Sequence, residues 1–402
     1  MRIVTFSTLF PNPAMPRHGL FVARRLAHLT AHQPLQSRVV APVPWFPSKN
    51  PRFGDYARFA AAPRQSTWGN LTAEHPRYAL IPKLGMSSAP LTLALGALPT
   101  LRRLRAQGYD FDLIDAHYAY PDGVAAALLG MWLDRPVTVT ARGSDINLIP
   151  QYAMPRRWLR GMMGRADGLI GVCQALTDAM IELGAPPDRC MTLRNGVDLD
   201  LFRPATDRGA LRRELGYAEP TLLSVGHLIE RKGHDRVISA LAELPEWRLR
   251  IIGEGPLLAD LQQHARACGV GDRVTFDGAL PPDQLARRYA AADALMLASS
   301  REGWANVLLE ALACGTPVAA TPIWGTPEVV AEPIAGELSA DRSPPALAAA
   351  LRALHAAPRD RAAVRRYAER FSWDATSQGQ FDLFTRILAT REQARSSAQR
   401  GA

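Results

Sequence analysis

The stretch Ser299–Thr321 reads SSREGWANVLLEALACGTPVAAT. Glu302 is followed by glycine, and Glu310 lies inside an apolar run with helical patterning. The run stops at Cys314-Gly315-Thr316-Pro317 and passes directly into a short β-branched and alanine strand. A loop, a helix, a glycine stop and a strand form one turn of an alternating α/β chain.

The same alternation extends outward in both directions. Upstream in the second half it predicts strands at Thr221–Val225, Leu249–Ile252, Arg273–Phe276 and Ala294–Leu297, separated by amphipathic helices. A first series predicts strands at Ile3–Ser7, Ser37–Ala41, Phe111–Ala116, Pro136–Ala141, Gly168–Val172 and Met191–Leu193. Short apolar strands alternating with helices indicate parallel sheets covered on both faces. Asn195-Gly196-Val197-Asp198 and Phe202-Arg203-Pro204 punctuate the chain between the series. The expectation is α/β, with two doubly wound Rossmann-like domains. One spans 1–195, a linker with a hinge spans 196–204, and the second spans 205–372. The segment Pro42–Ser88 reads as an irregular insert, Trp373–Leu388 as a last amphipathic helix, and Ser396–Ala402 as a disordered end.

The 402 residues exceed what one core comfortably organises. No apolar run reaches the roughly 18–20 residues of a membrane span; Ala89–Leu101 is short and contains Pro90 and Pro99. The amino terminus reads as a first strand and not as a signal peptide. Four scattered cysteines without a C-x-x-C pair favour a reducing compartment and no zinc framework, so the expected location is cytoplasmic. The net charge of +9 is uneven: residues 1–200 carry 22 Lys and Arg against 14 Asp and Glu, and the remainder 25 against 24. A basic first half suits phosphorylated substrates, anionic lipid or nucleic acid. The chain has three lysines, Lys49, Lys83 and Lys232, in an arginine-rich background. Lys232 therefore marks a place where a point charge serves better than a guanidinium fork.

In doubly wound sheets ligands bind outside the carboxyl ends of the strands. Several motifs fall there. Val225-Gly226-His227 leads to Arg231-Lys232-Gly233, where two cations at a helix start suit a diphosphate; a solvated basic turn is the competing reading. Ile251-Ile252-Gly253-Glu254-Gly255-Pro256 and Phe276-Asp277-Gly278-Ala279-Leu280 are strand-end loops. Backbone at Gly278, Ala279 and Leu280 suits a nucleobase edge, although alone it equally fits a plain turn. Helical spacing puts Glu302 and Glu310 about 11–12 Å apart, too far to share a proton or a metal and right for gripping two ends of an extended ligand. The amides of Gly303, Trp304, Ala305, Asn306 and Val307 would hold phosphate between them. Because Glu310 stands between Leu309 and Ala311, an unpartnered carboxylate there would be costly, which argues for a bound partner. In the first half, Gly19, His117, and the group Arg142, Ser144 and Asp145 converge on one sheet edge. Asp110-Phe111-Asp112 and Asp198-Leu199-Asp200 have the D-x-D form but lie at the wrong edge and in the linker, so no metal site is expected.

Taken in order, the Gly-containing first loop, HYAYPDG, ARGSD, LRNGVD, ERKG, IIGEGP, the two glutamates with seven residues between them and CGTPVAAT resemble the retaining glycosyltransferases of family 4 over nearly the whole chain. The resemblance implies a GT-B fold, two Rossmann-like domains facing each other across a cleft, with the last helix, 373–390, packing back onto the first. It assigns Glu302 to the donor-sugar hydroxyls and Glu310 to the ribose diol. Arg231 and Lys232, aided by Gly19, Gly226 and the amides after Glu302, neutralise the diphosphate. Gly278–Leu280 holds the base, and His117 lies near the transferred sugar. Arg142, Ser144 and Asp145 fall on the acceptor side. It also implies a UDP- or GDP-sugar donor, metal-independent transfer with no cofactor, and a glycan or lipid-linked acceptor. One departure stands out: where many relatives place arginine after the phosphate-loop glycine, this chain has His227.

The basic, aromatic insert, with Trp45, Phe46, Phe53, Tyr56, Phe59 and Trp68, suits peripheral contact with the inner face of an anionic membrane; an ordinary acceptor-side loop fits equally. Two other classes remain. A sugar-nucleotide epimerase or phosphorylase shares the architecture, though neither Lys49 nor Lys83 stands at a strand end to carry pyridoxal. A non-catalytic nucleotide or nucleic-acid binding module would use the basic half, but the intact Lys232, Glu302 and Glu310 set points to an enzyme and away from nucleic acid.

Overall fold

The computed structural model describes residues 1–80 and 85–400, with side chains of the last helix described to residue 397. Lys83 lies outside the described residues. The chain divides into two compact units, Met1–Arg194 with Asp374–Ala402, and Asn195–Trp373.

The first unit carries β1 (Arg2–Phe6), β2 (Gln36–Val40), β3 (Val43–Pro44), β4 (Gln65–Trp68), β5 (Leu71–Glu74), β6 (Arg77–Tyr78), β7 (Leu113–His117), β8 (Val137–Ala141), β9 (Gly168–Gly171) and β10 (Cys190–Thr192). Eight of these form one sheet in the order β10-β9-β8-β7-β1-β2-β5-β4, while β3 and β6 pair separately. Every pairing is parallel except β4 with β5. The strand order reverses between β1 and β7. Their carboxyl ends, at Ser7 and His117, mark the crevice where a doubly wound sheet binds ligands. Residues of β7, β8 and β9 are buried on both faces, including the polar Asp115, His117, Thr138 and Thr140 among their apolar neighbours.

The second unit carries β11 (Thr221–Val225), β12 (Arg248–Ile252), β13 (Val274–Gly278), β14 (Ala294–Leu297), β15 (Val318–Ala320) and β16 (Gly336–Leu338). They form one parallel sheet, β13-β12-β11-β14-β15-β16, reversing between β11 and β14. The loops after these two strands hold Lys232 and Glu302.

Two sequence expectations are corrected, the irregular insert and the disordered end, and one further helix is found between them. The insert is not irregular. β4 and β5 make a hairpin that extends the main sheet through β2, with Trp68 paired to Leu71 around a two-residue Gly69-Asn70 turn. Alternating residues around Gly-Asn are a hairpin signal, masked here by the prolines and arginines on either side. A helix spans Gly85–Ala106 in spite of Pro90 and Pro99. Its stripe of Ala89, Leu93, Ala94, Ala97, Leu101 and Leu104 is buried, and this packing outweighs the roughly 3 kcal/mol penalty of an internal proline. The carbonyl of Met86, which Pro90 cannot bond, accepts from the Tyr120 hydroxyl instead. The last helix runs from Trp373 to Arg400, so the residues expected to be disordered continue it as far as Arg400. Its Leu383, Phe384 and Ile387 lie in the same core as Ile3, Leu26, Ile170 and Leu193.

Candidate functional site

In the second unit, two glycine loops are laced together. Gly226 donates its amide to the Ile252 carbonyl at 3.0 Å, Leu228 to Glu254 at 3.0 Å, and Leu257 to Leu228 at 3.1 Å. Contact this close requires residues without Cβ. A Cβ on Gly253 would sit 1.8 Å from the Gly226 carbonyl oxygen, and one on Gly226 would press on the Lys232 stem at 3.3 Å. The lacing thus presents Lys232 across a bare backbone surface.

Lys232 Nζ donates to Glu302 Oε1 at 2.5 Å, and Ser299 Oγ donates to the same oxygen at 2.7 Å. Arg231 Nη1 lies 3.5 Å from Glu302 Oε2 and donates to the Arg301 carbonyl at 2.9 Å. The Ser300 amide returns a bond to the Arg231 carbonyl at 2.8 Å. The structure therefore brings Arg231, Lys232 and Glu302 together as one cluster, with Glu302 nearly buried. Two cations surround one carboxylate, leaving the cluster with a net positive charge.

Glu302 stands on a loop, and the helix begins only at Asn306, running to Ala313. The helical-rise estimate of the separation between Glu302 and Glu310 therefore does not apply. Ala305 supplies no side-chain cap, and the first turn has no acidic residue. The Asn306 carboxamide oxygen accepts from Asn195 at 3.3 Å. The positive end of the helix dipole thus carries no acidic counter-charge of its own, as suits an anion site. Gly303, Trp304 and Ala305 are buried, while Asn306 and Val307 are half-buried. Glu310 is also half-buried and accepts from the Tyr289 hydroxyl at 3.1 Å. Its flanking Leu309 and Ala311 point into the core on other sides of the helix, so the inference that its position demands a bound ligand is corrected: the chain itself supplies a partner. Gly278 ends β13, followed by Ala279 and Leu280 in a half-buried loop, and the Asp277 carboxylate is held by Arg250 at 2.6 and 2.9 Å. His227 is exposed at the loop, its Nδ1 3.2 Å from the Glu254 carbonyl.

Sequence reasoning missed His234. It follows Gly233 at a helix start, is buried, and its Nδ1 is 2.8 Å from Ser224 Oγ on β11. Burial lowers its pKa to about 4, so it sits behind the loop of Arg231 and Lys232 as a neutral ring. The signal was a histidine directly after the loop glycine in ERKGH.

In the first unit, His117 ends β7 and is buried. Its Nε2 lies 3.1 Å from Asp115 Oδ2, and Arg142 Nη2 donates to its Nδ1 at 2.7 Å. A guanidinium has only donors, so Nδ1 accepts and Nε2 carries the proton. Burial lowers the pKa to about 4, matching this neutral tautomer. Both ring nitrogens are therefore committed inside the unit, and the carbonyl accepts from Ser7 Oγ at 2.9 Å. Asp145 is likewise structural: it accepts the amides of Ala119 at 2.6 Å, Gly143 at 2.7 Å and Arg142 at 3.1 Å. Ser144 Oγ pairs with the Tyr118 hydroxyl at 2.7 Å, and the Arg142 guanidinium lies 5.3 Å from the Phe21 ring centroid. Gly19 takes φ 67° at the start of the helix Leu20–His32, where a Cβ would strike the Leu9 backbone at 2.2 Å. A second missed residue is Asp122, which accepts from the Thr8 amide at 2.7 Å and its hydroxyl at 3.0 Å. Desolvation pushes its pKa up to about 7. Of the D-x-D aspartates, Asp110 is paired with Arg105 and Arg135, and Asp112 and Asp198 accept backbone amides.

Residues 208–371 match the family described as glycosyl transferases group 1, and residues 65–201 match glycosyltransferase family 4. The D-inositol 3-phosphate glycosyltransferase of Corynebacterium glutamicum is 32% identical over 339 residues, 77% of this chain and 80% of that one. The protein of the same name from Thermobispora bispora is 36% identical over 308 residues, 69% of this chain and 71% of that one. The Segniliparus rotundus protein is 37% identical over 231 residues, 54% of this chain and about half (51%) of that one. Among solved structures, sucrose-phosphate synthase from Thermosynechococcus elongatus superposes with a TM-score of 0.76 at 20% identity, covering 97% of this chain and 100% of that one. Anabaena HepE in complex with UDP gives 0.71 at 19%, covering 96% and 100%. The chain belongs to the family-4 glycosyltransferases and is a glycosyltransferase with the GT-B fold of two Rossmann-like domains.

Proposed function

We propose that the chain transfers a sugar from a UDP- or GDP-sugar to a lipid-linked or cell-envelope glycan, with retention and without a metal. The observation that carries this reading is the cluster of Arg231, Lys232 and Glu302 beside the uncapped helix start at Asn306. Lys232, Arg231 and the helix amides neutralise the departing nucleoside diphosphate, the role for which a metal would otherwise serve. Glu302 exchanges its contact with Lys232 for donor-sugar hydroxyls, and Glu310 grips the ribose diol. The acceptor hydroxyl attacks on the face the leaving group departs from, and a phosphate oxygen takes its proton. No carboxylate nucleophile is needed, so the roughly 5 Å carboxylate pair of a retaining hydrolase is not expected. A nucleoside-diphosphate sugar also fits the solved structural neighbours in complex with UDP and UDP-glucose.

The membrane part of the reading is supported by the insert. Trp45 and Tyr56 are exposed to 60% and 47%, next to exposed Lys49, Arg52 and Arg58. Phe46 packs against Phe53 and Tyr56, with centroids 5.2 and 5.1 Å apart. Aromatic tips flanked by cations suit an anionic lipid surface. Among the described residues no helix is long and apolar enough to cross a membrane. A second acceptor reading follows from the names of the relatives, which act on D-inositol 3-phosphate. A small phosphorylated cyclitol would also suit the basic first half.

Release of nucleotide from a panel of nucleotide-sugars, with and without EDTA, tests the donor and the metal. Turnover of UDP- or GDP-sugars that is unaffected by EDTA is expected, and loss of turnover restored by a divalent cation would overturn metal independence. Product stereochemistry by NMR tests retention. Flotation with anionic and neutral liposomes tests the membrane contact, and failure to float with either would remove it.

A further inference from the structure

The helix Leu20–His32 ends in two histidines one turn apart. The rings of His28 and His32 stack with centroids 4.0 Å apart and planes 15° apart. His32 Nδ1 lies 2.9 Å from the His28 carbonyl oxygen, which can only accept, so Nδ1 holds the proton and Nε2 keeps its lone pair. His28 Nδ1 lies 2.9 Å from Ser377 Oγ, and its Nε2 lies 3.3 Å from Asp374 Oδ1. Asp374 and Ser377 belong to the first turns of the last helix, Trp373–Arg400, where the chain re-enters the first unit.

One ligand atom from each of His28, His32 and Asp374 lies within 4.8 Å of the other two. Around a tetrahedral zinc with arms of about 2.0–2.1 Å, ligand atoms stand about 3.4 Å apart. Closing the difference takes small side-chain rotations, and the Asp374 carboxylate, 75% exposed, has room to make them. The outer shell a metal site needs is already present. Each histidine bonds through Nδ1 to a fixed group, the His28 carbonyl for His32 and the buried Ser377 for His28, and His28 Nε2 faces the Asp374 carboxylate.

We propose that His28, His32 and Asp374 bind a divalent transition metal, zinc by their ligand chemistry, with water completing the coordination. The ion clasps the start of the last helix to the end of the first. The site shares no residue with the donor cluster, so the metal serves the fold and not the transfer step. Sequence spacing argued against zinc because the third ligand comes from the far end of the chain, where only folding brings it to the His28 and His32 pair.

The test is titration of the full, chelator-stripped chain with zinc alone, by calorimetry and by competition with a chromogenic chelator. Binding of one equivalent at about micromolar Kd or tighter is expected. His32→Ala and Asp374→Ala should each weaken it at least tenfold, and zinc should raise Tm in the parent chain but not in these variants. Both positions are exposed at helix ends, and unchanged circular dichroism confirms their folding. His264 and Cys268, 3.6 Å apart, offer the competing soft-ligand place. Absence of binding, binding unchanged by both substitutions, or binding lost instead in Cys268→Ser overturns the proposal.

Discussion

Lys232 Nζ stands 2.5 Å from Glu302 Oε1, so the cation expected at the diphosphate and the carboxylate expected at the sugar touch each other. Their contact fits a ligand whose sugar and phosphate are adjacent. In its proposed role Lys232 faces the leaving group, so Lys232→Ala should lower kcat/KM about 10²–10³-fold, in the range of other pre-organised electrostatic donors. Lys232→Arg should recover only part of this, because a planar fork does not reproduce the ammonium geometry over Gly226. Glu302→Gln should lower activity with the circular dichroism unchanged. Steady-state kinetics with the donor found by the nucleotide-sugar panel check these outcomes. Full activity in Lys232→Ala and Glu302→Gln would remove the assigned roles.

The loops beneath that pair give a stability prediction. Gly253 takes φ 154°, and its missing Cβ would overlap the Gly226 carbonyl oxygen at 1.8 Å. Gly253→Ala must separate the two loops and break the bonds lacing them. It should destabilise the second unit by about 1–3 kcal/mol or more, and displace Lys232 as well. Gly278→Ala, where φ is 68° but no atom lies within 4 Å, should cost less than Gly253→Ala. Urea unfolding of the two variants checks the order, and a larger loss at Gly278 would contradict it.

Much of this site was legible in the sequence because strand-end loops carry their chemistry locally. Thr221–Val225 and Ala294–Leu297 have the expected bounds, and Arg231, Lys232 and Glu302 meet as their loop positions imply. What was not legible depends on the third dimension. The partner of Glu310 is Tyr289, on another helix. The ring of His117 is held by Asp115, one strand pleat away, and by Arg142 from the next strand-end loop. The helix Gly85–Ala106 overrides its prolines through buried packing and a hydroxyl from Tyr120, neither visible in local propensity. The hairpin of β4 and β5 was hidden by the composition of its surroundings, although its turn was not unusual.

The last helix is anchored by a polar chain through the first unit. Arg25 Nε donates to Gln380 Oε1 at 2.8 Å, and Gln380 Nε2 donates to Asp115 Oδ2 at 2.8 Å. Asp115 also accepts from Thr138 at 2.8 Å and from His117. All four of Arg25, Gln380, Asp115 and His117 are buried. Gln380→Leu keeps the volume but leaves a guanidinium and a carboxylate each without one buried partner, at about 1–3 kcal/mol apiece. The expected outcome is a loss of several kcal/mol in the first unit and faster hydrogen exchange in the helix Trp373–Arg400. Gln380→Glu keeps the bond to Arg25 but sets a carboxylate against Asp115, so it should not rescue. Stability equal to the parent chain in Gln380→Leu would show that the chain of bonds adds nothing.

His234 sets the acid sensitivity of the second unit. Its folded pKa is lowered to about 4 against an ordinary value of 6.5, chiefly by burial. The folded unit therefore binds fewer protons than the unfolded chain between those values. Its contribution is fully present above pH 6.5 and is lost as pH falls toward 4, with a slope of up to about 1.4 kcal/mol per pH unit. In the first unit the same effect of His117 is opposed by Asp122, whose raised pKa of about 7 makes acidification favourable over the same range. Hydrogen exchange at the amides of β11, followed from pH 7 to 4.5 and corrected for intrinsic rates, should show protection falling with acid. His234→Gln, which can still bond Ser224, should flatten that dependence while lowering stability at pH 7 by about 1 kcal/mol. A slope unchanged by the substitution would mean that another group takes up the proton.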